Sequence, residues 1–427
     1  MRRIAVIGSG ISGLSVAYRL AGEARVTLFE AGPYFGGHTH TVDFTLDGVT
    51  QGIDTGFLVF NERTYPHLIA LFGELGIAST ATDMSFSVQA PGDGLAWSGS
   101  DLAGVFAQRR NLLRPAFLGM LAEVLRFNRL ATNLARRGDE ARLRQPIGDF
   151  LDAHRFSRAF RDWYFLPMVG SIWSCPTSQM LAFPIATMIR FCHNHGLLQV
   201  ANRPRWFTVD GGARQYVRKM LARIPDARKD TPVRAVHRTP AGAQVVTDAG
   251  GSEHFDDVVL ACHSDQALAL LQDATPDERE VLGAIRYQRN RAVLHTDAGL
   301  LPAQRRAWAA WNYERAPDAS RESARVCLHY LINRLQPLPF NTPVIVSLNP
   351  VREPRPELVH GEYDYAHPVF DLAAIAAQQR VPGLQGRQRT WFCGAWTRYG
   401  FHEDGLMSGL AVVDAWRARE PARREAA

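Results

Sequence analysis

The chain has 427 residues, of which 46% are hydrophobic and 21% charged, and its formal net charge is +6 at pH 7. This balance is typical of an ordinary globular protein, and the length suffices for two or three domains' worth of core. No run approaches the ~18–20 consecutive apolar residues of a membrane-spanning helix. The five cysteines are scattered without CxxC or metal-like spacing, so we expect a reducing, cytoplasmic environment.

The first thirty residues predict a strand, a glycine-rich turn, a helix and a second strand. Apolar residues 4–7 precede the segment Gly8-Ser9-Gly10-Ile11-Ser12-Gly13, and the second strand ends at Glu30. Gly8 permits the tight turn, Gly10 lets the backbone approach a pyrophosphate, and Gly13 lets helix and strand pack closely. The helix N-terminus offers unpaired N–H groups to the anion, and Glu30 can accept hydrogen bonds from ribose hydroxyls. This order predicts a Rossmann-like dinucleotide site.

The residues after Glu30 indicate which dinucleotide is bound. A second glycine pair follows at once, and the chain then enters a turn-rich, strand-like stretch instead of another helix crossover. FAD is longer than a nicotinamide dinucleotide and is commonly held along more of the chain, so the extra glycines favour FAD. From this part of the sequence we expect cofactor contacts from Gly8, Ser9, Gly10, Ser12, Gly13, Glu30, Ala31, Gly36, Gly37, His38, Thr39, Asp54 and Gly56.

A second strand-turn-helix pattern, "TWFCGAWTRYGFHEDGLMSGLAVVDAW", closes the chain between Thr390 and Trp416. Together with the GxGxxG turn, the acid and the glycine pair, it resembles the flavin amine oxidase and phytoene desaturase superfamily. The resemblance implies that the backbone of Val233 meets the adenine. It also implies that both chain ends converge on one FAD, through the C-terminal residues Gly394, Ala395, Glu403, Asp404, Gly405 and Leu406.

A narrower resemblance covers most of the chain, from residue 3 to about 416. The segments "GGHTHT", "DTGFLVFNERTYPHL", "SIWSCP", "NHGLL", "RPRWFTVDGGARQYV" and "GFHEDGL" are similar to a bacterial group of FAD-binding proteins. A related module in plants is fused to cyclopropane fatty acid synthase, which implies a lipid methyltransferase as a candidate partner. His38 departs from the broad superfamily, where an arginine usually follows the glycine pair, so a permanent cation at the pyrophosphate is in doubt.

The predicted fold class is α/β, with a Rossmann-like FAD-binding domain of the amine oxidase type interleaved with an α+β substrate domain. Residues 1–60, 205–265 and 386–418 are assigned to the FAD domain, and residues 61–204 and 266–385 to the substrate domain. Within the second FAD segment, alternating apolar residues and turns near Pro240 and Ala249 predict hairpins. Residues 419–427 are expected to form a frayed tail.

The segment from Leu102 to Arg144 carries nine arginines against Glu123, Asp139 and Glu140. No nucleic-acid-binding motif accompanies this charge, and we expect no nucleic-acid partner. Two interpretations remain open. The helices bury an apolar face in the substrate domain, or they lie on anionic lipid at the inner face of a membrane. Both rest on apolar residues at helical spacing: Leu113, Phe117, Met120, Val124 and Phe127.

Aromatic residues cluster in the middle of the chain. Core packing is their usual role, but in a flavin fold some should line a channel above the ring, and the candidates are Trp173, Trp206, Trp311 and Tyr313. His193 and His195 have no third ligand near them in sequence, so we expect hydrogen-bonded histidines and no metal site.

The reaction is inferred from what the chain lacks as well as from what it has. Neither Lys219 nor Lys229, the only lysines, stands where an amine oxidase places its lysine, and the aromatic segments carry few acids. Desaturation (dehydrogenation) of an unsaturated or methyl-branched fatty acyl chain by hydride transfer to the flavin fits better, with a hydrophobic acyl chain or a phospholipid as the substrate. This reaction needs an apolar channel and a modest proton acceptor, for which His402 and Tyr313 are candidates. Alternatives are an isomerase or hydratase without net redox, and a non-catalytic flavoprotein. FAD should bind non-covalently, because Cys393 lies on the strand approaching the phosphates.

Overall fold

The computed structural model describes residues 1–137, 145–199, 203–317 and 325–424. Its first core surrounds a five-stranded parallel sheet in the order β10-β2-β1-β14-β20. The strands are β1 (Arg3–Ile7), β2 (Arg25–Phe29), β10 (Asp226–Arg228), β14 (Asp257–Leu260) and β20 (Thr390–Phe392). The central strands β1 and β14 are apolar after their first residue and almost wholly buried, as expected for a parallel sheet covered on both faces. Their carboxyl ends meet at one edge, and the cavity described below opens there.

Two helices from opposite ends of the chain pack together beside this sheet. Helix α1 (Ile11–Leu20) follows the first turn, and helix α15 (His402–Arg424) ends the described chain. Their close approach depends on two glycines of α15. A Cβ at Gly405 would lie 2.8 Å from Ile11 Cγ2, and one at Gly409 would lie 2.1 Å from Ser15 Oγ. The two turns that precede these helices are thereby held at the same edge of the parallel sheet.

The second core lies on a seven-stranded sheet in the order β19-β15-β18-β17-β16-β7-β8, in which only β16 and β7 pair in parallel. Its strands are β7 (Phe86–Ala90), β8 (Leu95–Ser98), β15 (Arg286–His295), β16 (Trp311–Glu314), β17 (Cys327–Leu331), β18 (Ile345–Leu348) and β19 (Val359–Val369). Three small sheets complete the strands: β3 (Thr41–Leu46) with β4 (Val49–Asp54); β5 (Phe60–Asn61) and β6 (Ser79–Thr82) with β9 (Trp206–Val209); and β11 (Val233–Thr239), β12 (Gly242–Thr247) and β13 (Ser252–Phe255). The last is the predicted hairpin pair.

A layer of helices joins the two cores. Among the described residues, the helices between α1 and α15 are α2 (Pro66–Leu75), α3 (Leu102–Val105), α4 (Pro115–Arg137), α5 (Ile147–Ala153), α6 (Arg158–Phe160), α7 (Leu166–Trp173), α8 (Thr177–Leu181), α9 (Ile185–Asn194), α10 (Arg214–Leu221), α11 (Ser264–Leu270), α12 (Pro276–Gly283), α13 (Ile332–Leu335) and α14 (Leu372–Arg380). Phenylalanines at positions 127, 160 and 165 form the centre of this layer. No helix among the described residues is long and apolar enough to cross a membrane.

The fold class predicted from the sequence is confirmed: a parallel α/β sheet is interleaved with a mixed domain. All strands of the parallel sheet come from the three segments assigned to the FAD domain, and all strands of the seven-stranded sheet come from the other segments. Helix α2, from a substrate-domain segment, nevertheless buries Leu68 and Leu71 in the same core as Ile4. Helix α15 extends through Arg424, so residues 419–424 continue the helix instead of forming a tail, and residues 425–427 lie outside the described chain.

The arginine-rich segment is helical as predicted, but its apolar residues divide into two groups. Phe117, Met120 and Phe127 are fully buried, whereas Leu113 is 87% exposed because it lies in a 3-10 turn (Arg109–Leu113) before α4 begins. The segment therefore has both a buried face and exposed leucines. Asp139, Glu140 and the last two arginines lie outside the described residues.

Candidate flavin site

A cavity of about 1100 Å³ runs from the carboxyl ends of β1, β2, β14 and β20 to the seven-stranded sheet. In open parallel α/β sheets, ligands bind at this edge because the loops after the strands diverge there and helix N-termini point at it. One end of the cavity is lined by the glycine-rich turns and the other by aromatic and aliphatic side chains.

The N-terminal turn is shaped by three glycines with different roles. Gly8 has φ +104°, a conformation that glycine adopts without strain. A Cβ at Gly13 would lie 1.9 Å from the carbonyl oxygen of Gly8, so this position requires glycine for packing. Gly10 begins α1 and lines the cavity, and a Cβ there would meet nothing within 4 Å. The space above Gly10 is therefore open for a ligand, at a helix N-terminus that favours an anion.

The acid at the end of β2 borders the same space. Glu30 accepts hydrogen bonds from the Ser9 N–H (3.0 Å), the Ser9 hydroxyl (2.5 Å) and the Gly32 N–H (2.8 Å). Ser9 Oγ in turn accepts from the Gly36 N–H (3.0 Å), which ties the first turn to the second glycine pair. The carboxylate is thus fixed in the cavity wall beside the turn, where it can meet ribose hydroxyls.

Most of the other predicted cofactor residues line this end of the cavity. Gly56 stands close to the backbone of His38, since a Cβ at Gly56 would lie 2.2 Å from the His38 carbonyl oxygen. The predicted residues that the cavity brings together are Gly8, Ser9, Gly10, Ser12, Glu30, Ala31, Gly36, Gly37, His38, Gly56, Val233, Gly394, Ala395 and His402.

Two predicted cofactor residues from the early part of the chain are used elsewhere. Asp54 does not line the cavity; its carboxylate accepts from the Ala213 N–H (3.0 and 3.1 Å) and from Thr41 Oγ1 (2.5 Å). Burial raises the pKa of Asp54 to about 7. Thr39 also lies outside the cavity and bonds the hydroxyl of Tyr216. The sequence prediction of direct cofactor contacts is corrected here, because both side chains connect α10 to the sheet β3-β4.

The acids at the start of α15 are structural as well. Glu403 accepts from the backbone N–H groups of His67 (2.8 Å) and Leu68 (3.0 Å), so it caps the N-terminus of α2 rather than facing the cofactor. Asp404 accepts from the Phe401 N–H (3.0 Å), and burial raises its pKa to about 7. Gly405 packs on α1, and Leu406 is buried in the first core. Of this helix start, only His402 lines the cavity.

A group of three histidines lies at the cofactor end of the cavity, and only one of them, His38, was predicted from the sequence. His38, His263 and His367 lie close together, with the His38 ring centroid 5.1 Å from that of His367 and 6.5 Å from that of His263. Burial lowers the pKa of His38 and of His263 to about 4, and that of His367 to about 3. His38 Nε2 is buried and has no hydrogen-bond partner among the described residues. The open space above Gly10 and this unpaired nitrogen fit a bound dinucleotide.

His402 is held by two neighbours. Its ring stacks on Phe57 at 3.9 Å, and its Nε2 is 2.7 Å from the Tyr216 hydroxyl. Burial lowers the pKa of His402 to about 3, so the ring is neutral near pH 7. One nitrogen of this candidate proton acceptor is therefore already occupied by a protein partner.

The far end of the cavity is predominantly apolar. Trp173, Trp206 and Trp311 line it, as the sequence predicts for the substrate channel. Tyr313 does not: it is fully buried in the core of the seven-stranded sheet, and its predicted catalytic and substrate roles are corrected. Other apolar residues of the wall include Met84, Phe86, Trp97, Tyr164, Met168, Ile172, Phe191, Leu197, Tyr330 and Phe401.

Three charged residues border this end: Asp83, Arg203 and Arg205. Asp83 lines it but is already bonded to Arg334 (2.9 Å) and to Ser85. Both lysines of the chain lie outside the cavity: Lys219 donates to backbone oxygens of Leu75 (2.7 Å) and Gly76, and Lys229 is paired with Asp230 at the surface. Within the described chain, the apolar end of the cavity therefore offers no lysine and no unpaired carboxylate to an amine substrate.

His195 lines the apolar end and has a defined tautomer. Its Nδ1 lies 3.0 Å from the Phe191 carbonyl oxygen, which can only accept, so Nδ1 carries the proton and Nε2 keeps a lone pair. Its ring stacks on Phe191 at 3.8 Å, and burial lowers its pKa to about 4. The signal available in the sequence was a histidine directly before Gly196, a pattern typical of a helix C-terminus.

Glu314, Cys327 and His329 form a buried cluster away from the cavity, with ligand atoms within 4.8 Å of one another. Arg352 pairs with both oxygens of Glu314 (2.8 and 3.2 Å), and His329 lies 2.9 Å from Glu314. A cation would have to compete with the guanidinium for this carboxylate, so the group is a hydrogen-bonded network.

Comparison with known proteins agrees with this geometry. The family described as flavin containing amine oxidoreductase matches residues 11–294. No curated protein sequence matches the chain. Similar solved structures include a CLA-producing fatty acid isomerase from P. acnes (18% identity, 97% of this chain and 98% of that chain, TM-score 0.68). Another is a putative protoporphyrinogen oxidase from Exiguobacterium sp. 255-15 (18% identity, 98% of this chain and 99% of that chain, TM-score 0.69). A third is cyclohexylamine oxidase from Brevibacterium oxydans (15% identity, 97% of this chain and 99% of that chain, TM-score 0.67). The chain belongs to the flavin-containing amine oxidoreductase family, and it is an oxidoreductase with FAD as its cofactor.

Proposed function

We propose that this flavoprotein removes hydride from a carbon next to a double bond or branch in a fatty acyl chain. The observation that carries the proposal is the far end of the cavity, where tryptophans and aliphatic side chains form the wall and neither lysine is present. An acyl chain gains free energy by burying its methylenes in such a wall, whereas a protonated amine would be desolvated without a partner. The similar fold of a fatty acid isomerase supports the same substrate class.

The residues divide the work between the two ends of the cavity. Gly10 and the N-terminus of α1 would hold the pyrophosphate, and Glu30 the ribose. When bound, FAD supplies the hydride acceptor. The wall formed by Trp173, Trp311 and their neighbours would exclude water and hold the chain extended past the ring.

Loss of hydride leaves a carbocation, which is allylic where the carbon adjoins a double bond, and loss of a proton from the adjacent carbon completes the new double bond. We propose His195 as the proton acceptor, because Nε2 has a free lone pair and the ring is neutral near pH 7. A weak base suffices, since a proton next to a carbocation is strongly acidic. His402 is the second candidate, although its Nε2 already bonds Tyr216.

An isomerase is the second candidate function, favoured by the shared fold with the fatty acid isomerase. Isomerisation would return the hydride to a different carbon of the same chain and leave no net oxidation. It would therefore need no external electron acceptor, whereas dehydrogenation consumes one equivalent of acceptor per double bond formed.

Anaerobic mixing tests the proposal. The flavin absorbance of the loaded enzyme should bleach on addition of unsaturated or methyl-branched acyl chains and remain unchanged with polyamines. Bleaching by amines alone would contradict the proposal. Unchanged absorbance together with a shifted double bond in the product, found by mass spectrometry, would select the isomerase.

A matched pair of variants tests the proton acceptor. His195→Gln should lower product formation about 100-fold or more, in the range that general bases contribute. His193→Gln, two residues away on the same helix and outside the cavity lining, should retain full activity. Equal activity of both variants, with flavin fully loaded, would exclude His195 and return attention to His402.

A further inference from the structure

The 3-10 turn and short helix before α4 expose an unusual number of leucines. Leu113 is 87% exposed and Leu102 is 78% exposed, with Leu112 half exposed beside them. Five of the nine large apolar side chains that are exposed in the described chain fall between residues 102 and 125, the other two being Leu118 and Leu125 on α4. Isolated exposed leucines are ordinary, but such a concentration in one segment indicates a contact surface.

These leucines share one support. Helix α3 packs through Gly104 on Ser98, since a Cβ at Gly104 would lie 3.1 Å from the Ser98 carbonyl oxygen. The 3-10 turn is fastened two residues earlier on the same strand, where Asn111 Nδ2 donates to the Ala96 carbonyl oxygen (3.5 Å). Both turns therefore lie side by side on the edge strand β8 of the seven-stranded sheet.

Arginines flank the leucines without acidic partners. Arg110 donates to the backbone oxygen of Gly94 and Arg114 to that of Asp93, while the Asp93 carboxylate pairs with Arg315 (2.8 Å). Within the part of the chain that the structure describes, Arg109, Arg110 and Arg114 form no ion pair with a carboxylate. We call Leu102, Leu112, Leu113, Arg109 and Arg110 the leucine–arginine patch; Arg114 lies beside it, with Nη1 buried and its guanidinium over the Trp163 ring.

The patch adjoins the apolar end of the cavity. Trp97, Gly99 and Ser100 line the cavity, and Leu102 follows two residues later in the chain. The strand β8 and the loop after it thus carry the cavity wall on one side and the patch on the other.

We propose that the leucine–arginine patch docks the protein on the surface of an anionic phospholipid bilayer. The leucines would enter the interfacial region and the arginines would meet phosphate groups, which is the chemistry of interfacial protein segments on acidic membranes. Charge complementarity selects this occupant over a second copy of the chain, because a symmetric dimer would place the same two exposed arginines, Arg109 and Arg110, against one another. The inference deepens the proposed function, but its test uses no substrate.

Flotation of the flavin-loaded protein with phosphatidylglycerol vesicles, and separately with phosphatidylcholine vesicles, measures the docking. We expect at least tenfold tighter binding to the anionic vesicles, weakened by salt. The double variant Leu113→Glu/Arg109→Glu should lose binding tenfold or more. The matched control Leu372→Glu/Arg279→Glu changes an exposed leucine and arginine on α14 and α12, and it should bind like the wild type.

Equal binding of both double variants, or no binding of the wild type to anionic vesicles, would overturn the proposal. A dimer in size-exclusion chromatography that only the patch variant dissociates, without vesicle binding, would identify a protein interface instead. Oxidation of detergent-dispersed acyl chains separates the two proposals. Docking without acyl oxidation defeats the proposed function alone, and oxidation without docking defeats this inference alone.

Discussion

Two glycines three residues apart should give opposite phenotypes when each is replaced by valine. Gly10 has φ −61° and ψ 173°, which any residue can adopt, and a Cβ there meets nothing within 4 Å. A side chain at this position would enter the cavity at the N-terminus of α1. At Gly13 the Cβ would lie 1.9 Å from the Gly8 carbonyl oxygen, a separation no folded chain can keep. Gly10→Val should therefore fold without flavin, and Gly13→Val should not fold stably.

The magnitudes follow from what each side chain displaces. Valine at Gly10 should cost less than about 1 kcal/mol of stability, but it displaces the pyrophosphate. Losing one charge-assisted hydrogen bond (about 1.5–3 kcal/mol) and the helix N-terminus (up to about 2 kcal/mol) should weaken FAD binding by about 3–5 kcal/mol, or about 10²–10⁴-fold. Valine at Gly13 should cost at least about 3 kcal/mol, because the turn must open against β14.

The assay is flavin stoichiometry after acid release, with circular dichroism and thermal melting compared against flavin-free wild type. That reference matters because losing a bound ligand lowers the melting temperature by itself. We expect Gly10→Val to match flavin-free wild type in melting and spectrum. Full flavin occupancy in Gly10→Val would refute the placement of the cofactor above this turn, and normal melting of Gly13→Val would refute the packing argument.

Three further predictions concern the cap of α2, the flavin linkage and pH. Glu403→Gln should lower the melting temperature by about 2–4 °C, because the neutral amide is a weaker acceptor for the N–H groups of His67 and Leu68; unchanged melting would contradict the cap. Acid precipitation should release all of the yellow flavin into the supernatant, because neither nearby thiol suits a covalent link: Cys393 is buried outside the cavity lining, and burial raises the pKa of the cavity thiol Cys262 to about 12, which keeps it protonated. Yellow colour in the pellet would show a covalent link. Urea unfolding should show a lower free energy of unfolding at pH 5.5 than at pH 7.5. The buried histidines of the cavity have folded-state pKa values of about 3–4, below the unfolded value of about 6.5, so the stability they contribute above pH 6.5 is lost as the pH falls. The loss is up to about 1.4 kcal/mol per pH unit and histidine, and it is opposed by the raised pKa values of Asp54 and Asp404. The histidines of the cavity that contribute are His38, His195, His263, His367 and His402. Equal stability at the two pH values would refute the prediction.

The N-terminal turn could be predicted because each requirement is local. The close approach of Gly13 to Gly8 and the exposure of Gly10 to the cavity depend on residues only a few positions apart. The roles of the acidic residues could not be predicted in this way, because a carboxylate next to a glycine turn can bind either a ligand or a backbone N–H group from a distant part of the chain. Asp54 bonds Ala213 and Glu403 bonds His67, partners 159 and 336 residues away that no local pattern reveals.

The aromatic residues of strand β16 also show how far a local sequence pattern can predict the site. Trp311 and Tyr313 lie two residues apart on β16 and so share a face of the sheet. Trp311, at the start of the strand, borders the cavity, whereas Tyr313 is covered by the core between strands β7 and β17. Period-two alternation identifies the shared face, but only the pairing of the whole sheet determines where along that face the core ends.

The two ends of the chain come together because the glycine-rich turns before α1 and α15 form one end of the same cavity. Helices α1 and α15 touch through Gly405 and Gly409, and the Gly394 N–H donates to Ser408 Oγ (2.9 Å), so the second turn is fixed to the helix that packs on the first. The cofactor end of the cavity therefore exists only when the last strand of the parallel sheet has added to the first. The aromatic end depends in turn on the seven-stranded sheet inserted between these segments. Flavin loading thus reports on the folding of the entire chain, because no single segment contains the site.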